Sequence, residues 1–224
     1  MVGLIHPFYL GVRVKTQLAT MLDLQEAMNT RVHNDWKNQG FAWYRAIWVE
    51  CAELMDHYGW KWWKKQSPDT EQVKLELIDI WHFGLSSLLQ NNVSLEEITR
   101  EVESSLSGDN TQLPLDFRQS VEVFAAHTLS TQRFSIDAFM PLLQSIDMPF
   151  EALYTGYIGK NVLNFFRQDN GYQEGTYQKV WHGEEDNEHL VEIISRLDVS
   201  TEGFKDNLYR ALEERYQSVL ASNE

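Results

Sequence analysis

Cysteine is nearly absent: one residue in 224, Cys51, excludes an intramolecular disulfide framework and fits a reducing cytoplasm. No apolar run approaches the ~20 residues needed to span a bilayer. The chain does not open on a cationic stretch followed by an apolar one, so no signal peptide is expected. Basic charge is also scarce, with 19 Lys+Arg against 33 Asp+Glu and a net charge of −14. That deficit argues against nucleic acid or a membrane surface as partner, because both require a basic face. It still admits a small anionic substrate, provided cations receive it. Prolines number five, and no alternating run of β-branched residues is long enough to mark a sheet. What is present, 43% hydrophobic and 23% charged residues, is the composition of one soluble globular domain, here expected in the cytoplasm.

Helical periodicity fills the stretches between the prolines. Residues 17–37 repeat apolar groups at Leu18, Met21, Leu22, Met28, Val32 and Trp36, close to a 3.6 period. A second helix is expected over 41–58, closed by Gly59, and a third from a Ser67 cap with Pro68 in its first turn to about Gln90. Shorter helices are expected near 95–107, 115–130 and 138–146. Longer ones follow at 151–167 and 200–221. Glycines 156, 159, 171, 175 and 183 mark a loop-rich functional segment. The reading is all-α, with 1–16 as an N-terminal arm and 17–224 as a single domain.

Two pairs of acids carry the strongest chemical signal. Glu50 and Glu53 lie on the second helix and Glu76 and Asp79 on the third, each pair at i, i+3 and so on one face. The third helix is apolar almost all round, and the second carries Ile47, Val49, Cys51, Leu54 and Met55 around its glutamates. Both helices are therefore expected to be buried. Buried carboxylates without a partner are costly, and four together repel. Mg²⁺ relieves both problems and keeps positions for water and phosphate. Acids paired with surface Lys and Arg are the plain alternative. A di-iron bundle fits poorly, because Glu/Asp-x-x-His occurs once, as Asp79-x-x-His82.

Other clusters are weaker taken singly. The joint GWKWWKKQSPD interleaves Lys61, Lys64 and Lys65 with Trp60, Trp62 and Trp63, a local reversal of charge in an acidic chain. Its lysines suit a polyphosphate, and each of its tryptophans is read as core. Lys160, Asn164 and Arg167 fall at i, i+4 and i+7, within a segment that also holds Tyr157, Tyr177 and Lys179. On the first helix, Gln25 and Asn29 each lie about 20° from the direction of Leu18, in the middle of the apolar stripe and without an evident structural partner. A pair of buried amides matches the donor and acceptor edge of uracil.

Together, Glu50-x-x-Glu53, Glu76-x-x-Asp79, GWKWWK, LQEAMN and YIGKNVLNFFRQDNGYQEGTYQKVWHGEEDN resemble the dimeric, all-α dUTPases of the all-α nucleoside triphosphate pyrophosphatase superfamily. The resemblance covers about 17–90 and 151–190, and 91–150 reads as a less characteristic helical insertion. It implies a homodimeric catalytic domain, with Glu50, Glu53, Glu76 and Asp79 holding two or more Mg²⁺. By the same resemblance Gln25, Asn29, Trp81 and His82 frame uracil, and Asn164, Tyr157 and Tyr177 lie near the sugar. Lys61, Lys160, Arg167 and Lys179 meet the phosphates. The implied reaction is dUTP, and also dUDP, to dUMP, with Glu50 activating a water that attacks the α-phosphorus. A pyrophosphatase for dCTP or another non-standard nucleotide is the nearest alternative. A non-catalytic helical interaction protein is the alternative of another class.

Overall fold

The computed structural model describes residues 7–108, 116–199, 201 and 203–222. Nine α-helices and one short hairpin make up these residues: α1 (Pro7–Val32), α2 (Trp43–Tyr58), α3 (Thr70–Gln90), α4 (Leu95–Ser107), α5 (Phe117–Thr131), α6 (Ile136–Ser145), α7 (Phe150–Asp169), β1 (Val180–Trp181), β2 (Glu184–Glu185), α8 (Asp186–Ser195) and α9 (Phe204–Ser222). The all-α reading holds.

Periodicity located the helices better than it located their ends. α1 begins at Pro7, ten residues before the apolar repeat was read, and stops at Val32; Trp36 sits in a separate 3₁₀ turn, Trp36–Asn38. The first six residues of the 1–16 arm, residue 115 of the expected 115–130 helix and residues 200 and 202 of the last helix lie outside the described residues. Gly59 closes α2 as expected: its φ of 91° is open to glycine, and its N–H donates to the Met55 carbonyl. α3 starts later than expected. Its cap is Asp69, which accepts from the Gln72 N–H at 3.3 Å, so Ser67 and Pro68 both precede the helix.

α3 is the central post, with Leu77, Ile80, Trp81 and Leu85 fully buried. α1, α2 and α7 pack around it. α7 comes close where it carries Gly156: a Cβ there would lie 2.3 Å from Ile78 of α3. α2 is less buried than its sequence suggested. Ile47, Cys51 and Leu54 face the core, while Trp48 and Val49 are about half exposed. Residues 95–107 and 117–145 close the core from outside, burying Ile98, Val102, Phe124, Phe139 and Leu143 between α4, α5, α6 and the inner helices.

Past α7, α8 and the hairpin β1–β2 occupy the stretch read as loop. The hairpin pairs Val180 with Glu185 and Trp181 with Glu184. Trp181, fully buried, stacks on His189 of α8 and packs on Tyr216 of α9, which pins the hairpin to the last two helices.

Candidate active site

A cavity of about 880 Å³ opens between α1, α2, α3, α7 and the hairpin. All four acids of the two pairs line it. Oxygens of Glu50, Glu76 and Asp79 come within 4.8 Å of one another. Glu53 stands at the exposed edge of the group. The i, i+3 spacing on two packed helices thus delivers what it promised, four carboxylates facing one space.

The electrostatics are severe. Burial, then the charge of Asp79, then Glu76 and Glu53, push the Glu50 carboxyl up to about 9. Burial also leads the causes that raise Glu76. Counting the whole wall, Glu50, Glu53, Asp69, Glu76, Asp79, Glu185 and Glu188 face Lys160, Arg167 and Lys179. A polyphosphate entering such a cavity alone would meet net negative charge. Hard divalent cations fit this donor set: all-oxygen ligands, ligand atoms close together, and carboxylates whose ionisation needs compensation. His57, placed one turn after Glu53, approaches Glu76 at 3.4 Å and adds a group that sequence reading missed.

At one end of the cavity the α1 amides meet α3. Gln25 Nε2 donates to Asn29 Oδ1 at 3.0 Å and to Ser86 Oγ at 2.9 Å, and Asn29 Nδ2 donates to Ser86 Oγ at 3.0 Å. Gln25 Oε1 accepts from His82 Nδ1 and faces the Tyr157 hydroxyl, both at 2.9 Å. The amides therefore do have structural partners, contrary to expectation. Ser86 was not legible as one, although it lies one turn beyond His82. His82 is stacked on Tyr157, with centroids 4.1 Å apart, and burial pushes its pKa down to about 3. It is neutral. With Nδ1 donating, its Nε2 is a bare acceptor, buried and without a partner among the described residues. Trp36, Phe41, Trp43 and Phe83 form the apolar walls at this end.

At the other end stand the cations. Lys160, buried on α7, donates to Asp79 Oδ2 at 2.7 Å and to Asn187 Oδ1 at 2.9 Å. Arg167 forms a two-pronged pair with Asp186, Nε and Nη2 donating at 2.8 and 2.7 Å. Asn164 accepts from Arg167 at 3.2 Å, and Lys179 pairs with Glu185 at 2.9 Å.

Some expected site residues are not brought to the cavity. Trp81 is fully buried, donates to Met21 Sδ and stacks on Phe139, so its indole serves the core. Tyr157 is also fully buried and acts behind Gln25. Tyr177 points its hydroxyl at Asp186 Oδ2, 2.8 Å away. Lys61 is off the cavity wall, 4.0 Å from Asp56 and over the Trp60 ring. Trp60, Trp62 and Trp63, read as core, are exposed at 44, 90 and 57% because they pack edge-on against one another in the α2–α3 joint.

A helical bundle enclosing a carboxylate cluster beside a basic end defines a class of proteins suited to metal-assisted work on phosphates. The comparison with known families makes the class specific: a family model described as dUTPase matches residues 17–172. The chain belongs to this family, in its all-α form, and membership makes it a dUTP-hydrolysing enzyme. The matched span includes 91–150, which carried little of the resemblance by eye. None of the curated proteins compared with the chain matches it.

Proposed function

We propose that this protein is a Mg²⁺-dependent dUTP diphosphatase that converts dUTP to dUMP and pyrophosphate, and dUDP to dUMP and phosphate. The observation that carries the reading is the convergence of Glu50, Glu53, Glu76 and Asp79 on the wall of one cavity with Lys160 and Arg167. Those four acids would hold the cations. When bound, two or more Mg²⁺ would supply positive charge that keeps the carboxylates ionised and offsets charge building on the attacking and leaving oxygens. Glu50, once ionised, orients a water and takes its proton as that water attacks the α-phosphorus. Lys160, Arg167 and Lys179 receive the phosphates, and Asn164 faces the sugar. Lys61, on the joint between α2 and α3 and off the cavity wall, is left out of the phosphate contacts.

The base is read at the amide end. Uracil presents an N3–H between two carbonyls. His82 Nε2, buried and without a partner among the described residues, would accept that N–H once the side chains closing it off give way, while Asn29 Nδ2 retains a proton for a carbonyl. Gln25, its amide already engaged, holds both in place. Cytosine brings a lone pair at N3 to a lone pair on His82, and sites built for hydrogen bonding reject such mismatches strongly. Pyrophosphate release from a panel of deoxynucleoside triphosphates, with and without Mg²⁺, tests the reading. Turnover of dUTP well above dCTP and dTTP, lost on chelation, is expected; preference for dCTP would favour the alternative specificity. We place the enzyme in the cytoplasm as a homodimer, without nucleic-acid or membrane partners. The lone buried cysteine supports the compartment and the acidic charge argues against nucleic-acid partners, and no described helix is long and apolar enough to cross a membrane.

A further inference from the structure

Asp186 is fully buried, yet it touches two residues of the site wall, Arg167 and Lys179, and Tyr177 behind it. Its two oxygens take Nε and Nη2 of Arg167. The Tyr177 hydroxyl reaches Oδ2 at 2.8 Å, and the Asp186 N–H donates to the Lys179 carbonyl at 2.9 Å. Its neighbour Asn187 bridges the cations, its Oδ1 accepting from Lys160 at 2.9 Å and from Arg167 at 3.2 Å. A guanidinium carries five N–H donors in a rigid fork. Asp186, Asn187 and Asn164 account for Nε, both Nη2 protons and one Nη1 proton, which leaves a single Nη1–H for a ligand. The rotation of the fork is thereby fixed before any phosphate arrives.

We propose that Asp186 is a positioning residue: by clamping Arg167 from behind, it presets the one N–H that meets the substrate's phosphates. The inference rests on the functional reading above and deepens it. Asp186 does not touch substrate. It acts through Arg167, with Tyr177 steadying the carboxylate rather than contacting the sugar. Preorganised donors cost no reorganisation when charge reaches them. A clamp of this kind therefore affects the phosphate end and leaves the base end alone.

Calorimetric titration of the Mg²⁺-loaded protein with two probes, pyrophosphate and deoxyuridine, separates clamping from plain stabilisation. Asp186→Asn is expected to weaken pyrophosphate by about tenfold or more, while deoxyuridine affinity stays within about twofold. Tyr177→Phe, which removes only one hydrogen bond to the carboxylate, should shift pyrophosphate in the same direction by less, and carries the test if Asp186→Asn does not fold. In an Arg167→Lys background, adding Asp186→Asn should bring little further loss of pyrophosphate affinity, because residues acting through one another are not additive. Equal loss of both probes, or no loss of either, would overturn the proposal. Additive losses in the double variant would overturn it too. Wild-type protein that binds neither probe would remove the functional reading itself.

Discussion

At the scale of single residues, burial decides which expected roles survive. Gln25, Asn29 and His82 share the cavity wall and one hydrogen-bond network. Trp81, adjacent to His82 in sequence, is turned about 100° around the helix axis from it and is buried in the core instead. The two kinds of residue predict opposite phenotypes. Asn29→Ala should lower kcat/KM for dUTP by ~1–3 kcal/mol, with Mg²⁺ affinity nearly unchanged. Trp81→Ala should instead cost ~3–5 kcal/mol of stability, and leave the ratio of dUTP to dCTP turnover in the folded enzyme where it was. Steady-state kinetics beside chemical denaturation checks both. The acids, amides and α7 cations were legible because residue type and helical spacing together restrict what they can do. Ser86, His57 and Asp186 were not, because a serine, a histidine or an aspartate acquires a role only from what another helix sets beside it.

At the scale of elements, the pairing of α2 with α3 buries carboxyls and sets like charges beside them, and this has a measurable consequence. The folded protein holds a proton on Glu50 up to about 9, whereas the unfolded chain releases it near 4.5. Between those values the native state binds more protons, so stability falls as pH rises. His82, pushed down to about 3 from 6.5, works in the opposite sense, but only below pH 6.5. From pH 7 to 9 the Glu50 effect therefore stands clear of it. Thermal melting of chelator-treated protein should drop by several degrees across that window. Saturating Mg²⁺ should raise Tm and flatten the slope; a flat metal-free profile would mean that burial and the neighbouring carboxylates do not hold a proton on Glu50. The same scale shows what pattern reading loses. Helices were found wherever a 3.6 period ran long. α8, ten residues opening on an acidic run, was hidden among glycines, and the α3 start moved by two residues because Asp69, as good a capping residue as Ser67, takes the Gln72 N–H.

At the scale of the whole molecule, the outer helices α4, α5 and α6 complete the core with Ile98, Val102, Phe124, Phe139 and Leu143. α2 and α5 still leave Trp48, Val49, Val123 and Leu129 exposed, apolar surface of the kind that subunit contacts cover. Light scattering at a salt concentration that screens surface charge should give twice 26.2 kDa. A fully active monomer would refute the homodimer. The proposed chemistry, attack on the α-phosphorus of dUTP by a water held at the carboxylate cluster, leaves an isotopic signature. Hydrolysis in H₂¹⁸O with Mg²⁺, followed by mass spectrometry of both products, tests it directly. One ¹⁸O atom in dUMP and none in pyrophosphate is expected, whereas label in pyrophosphate with unlabelled dUMP would place the attack on the β-phosphorus and overturn this chemistry.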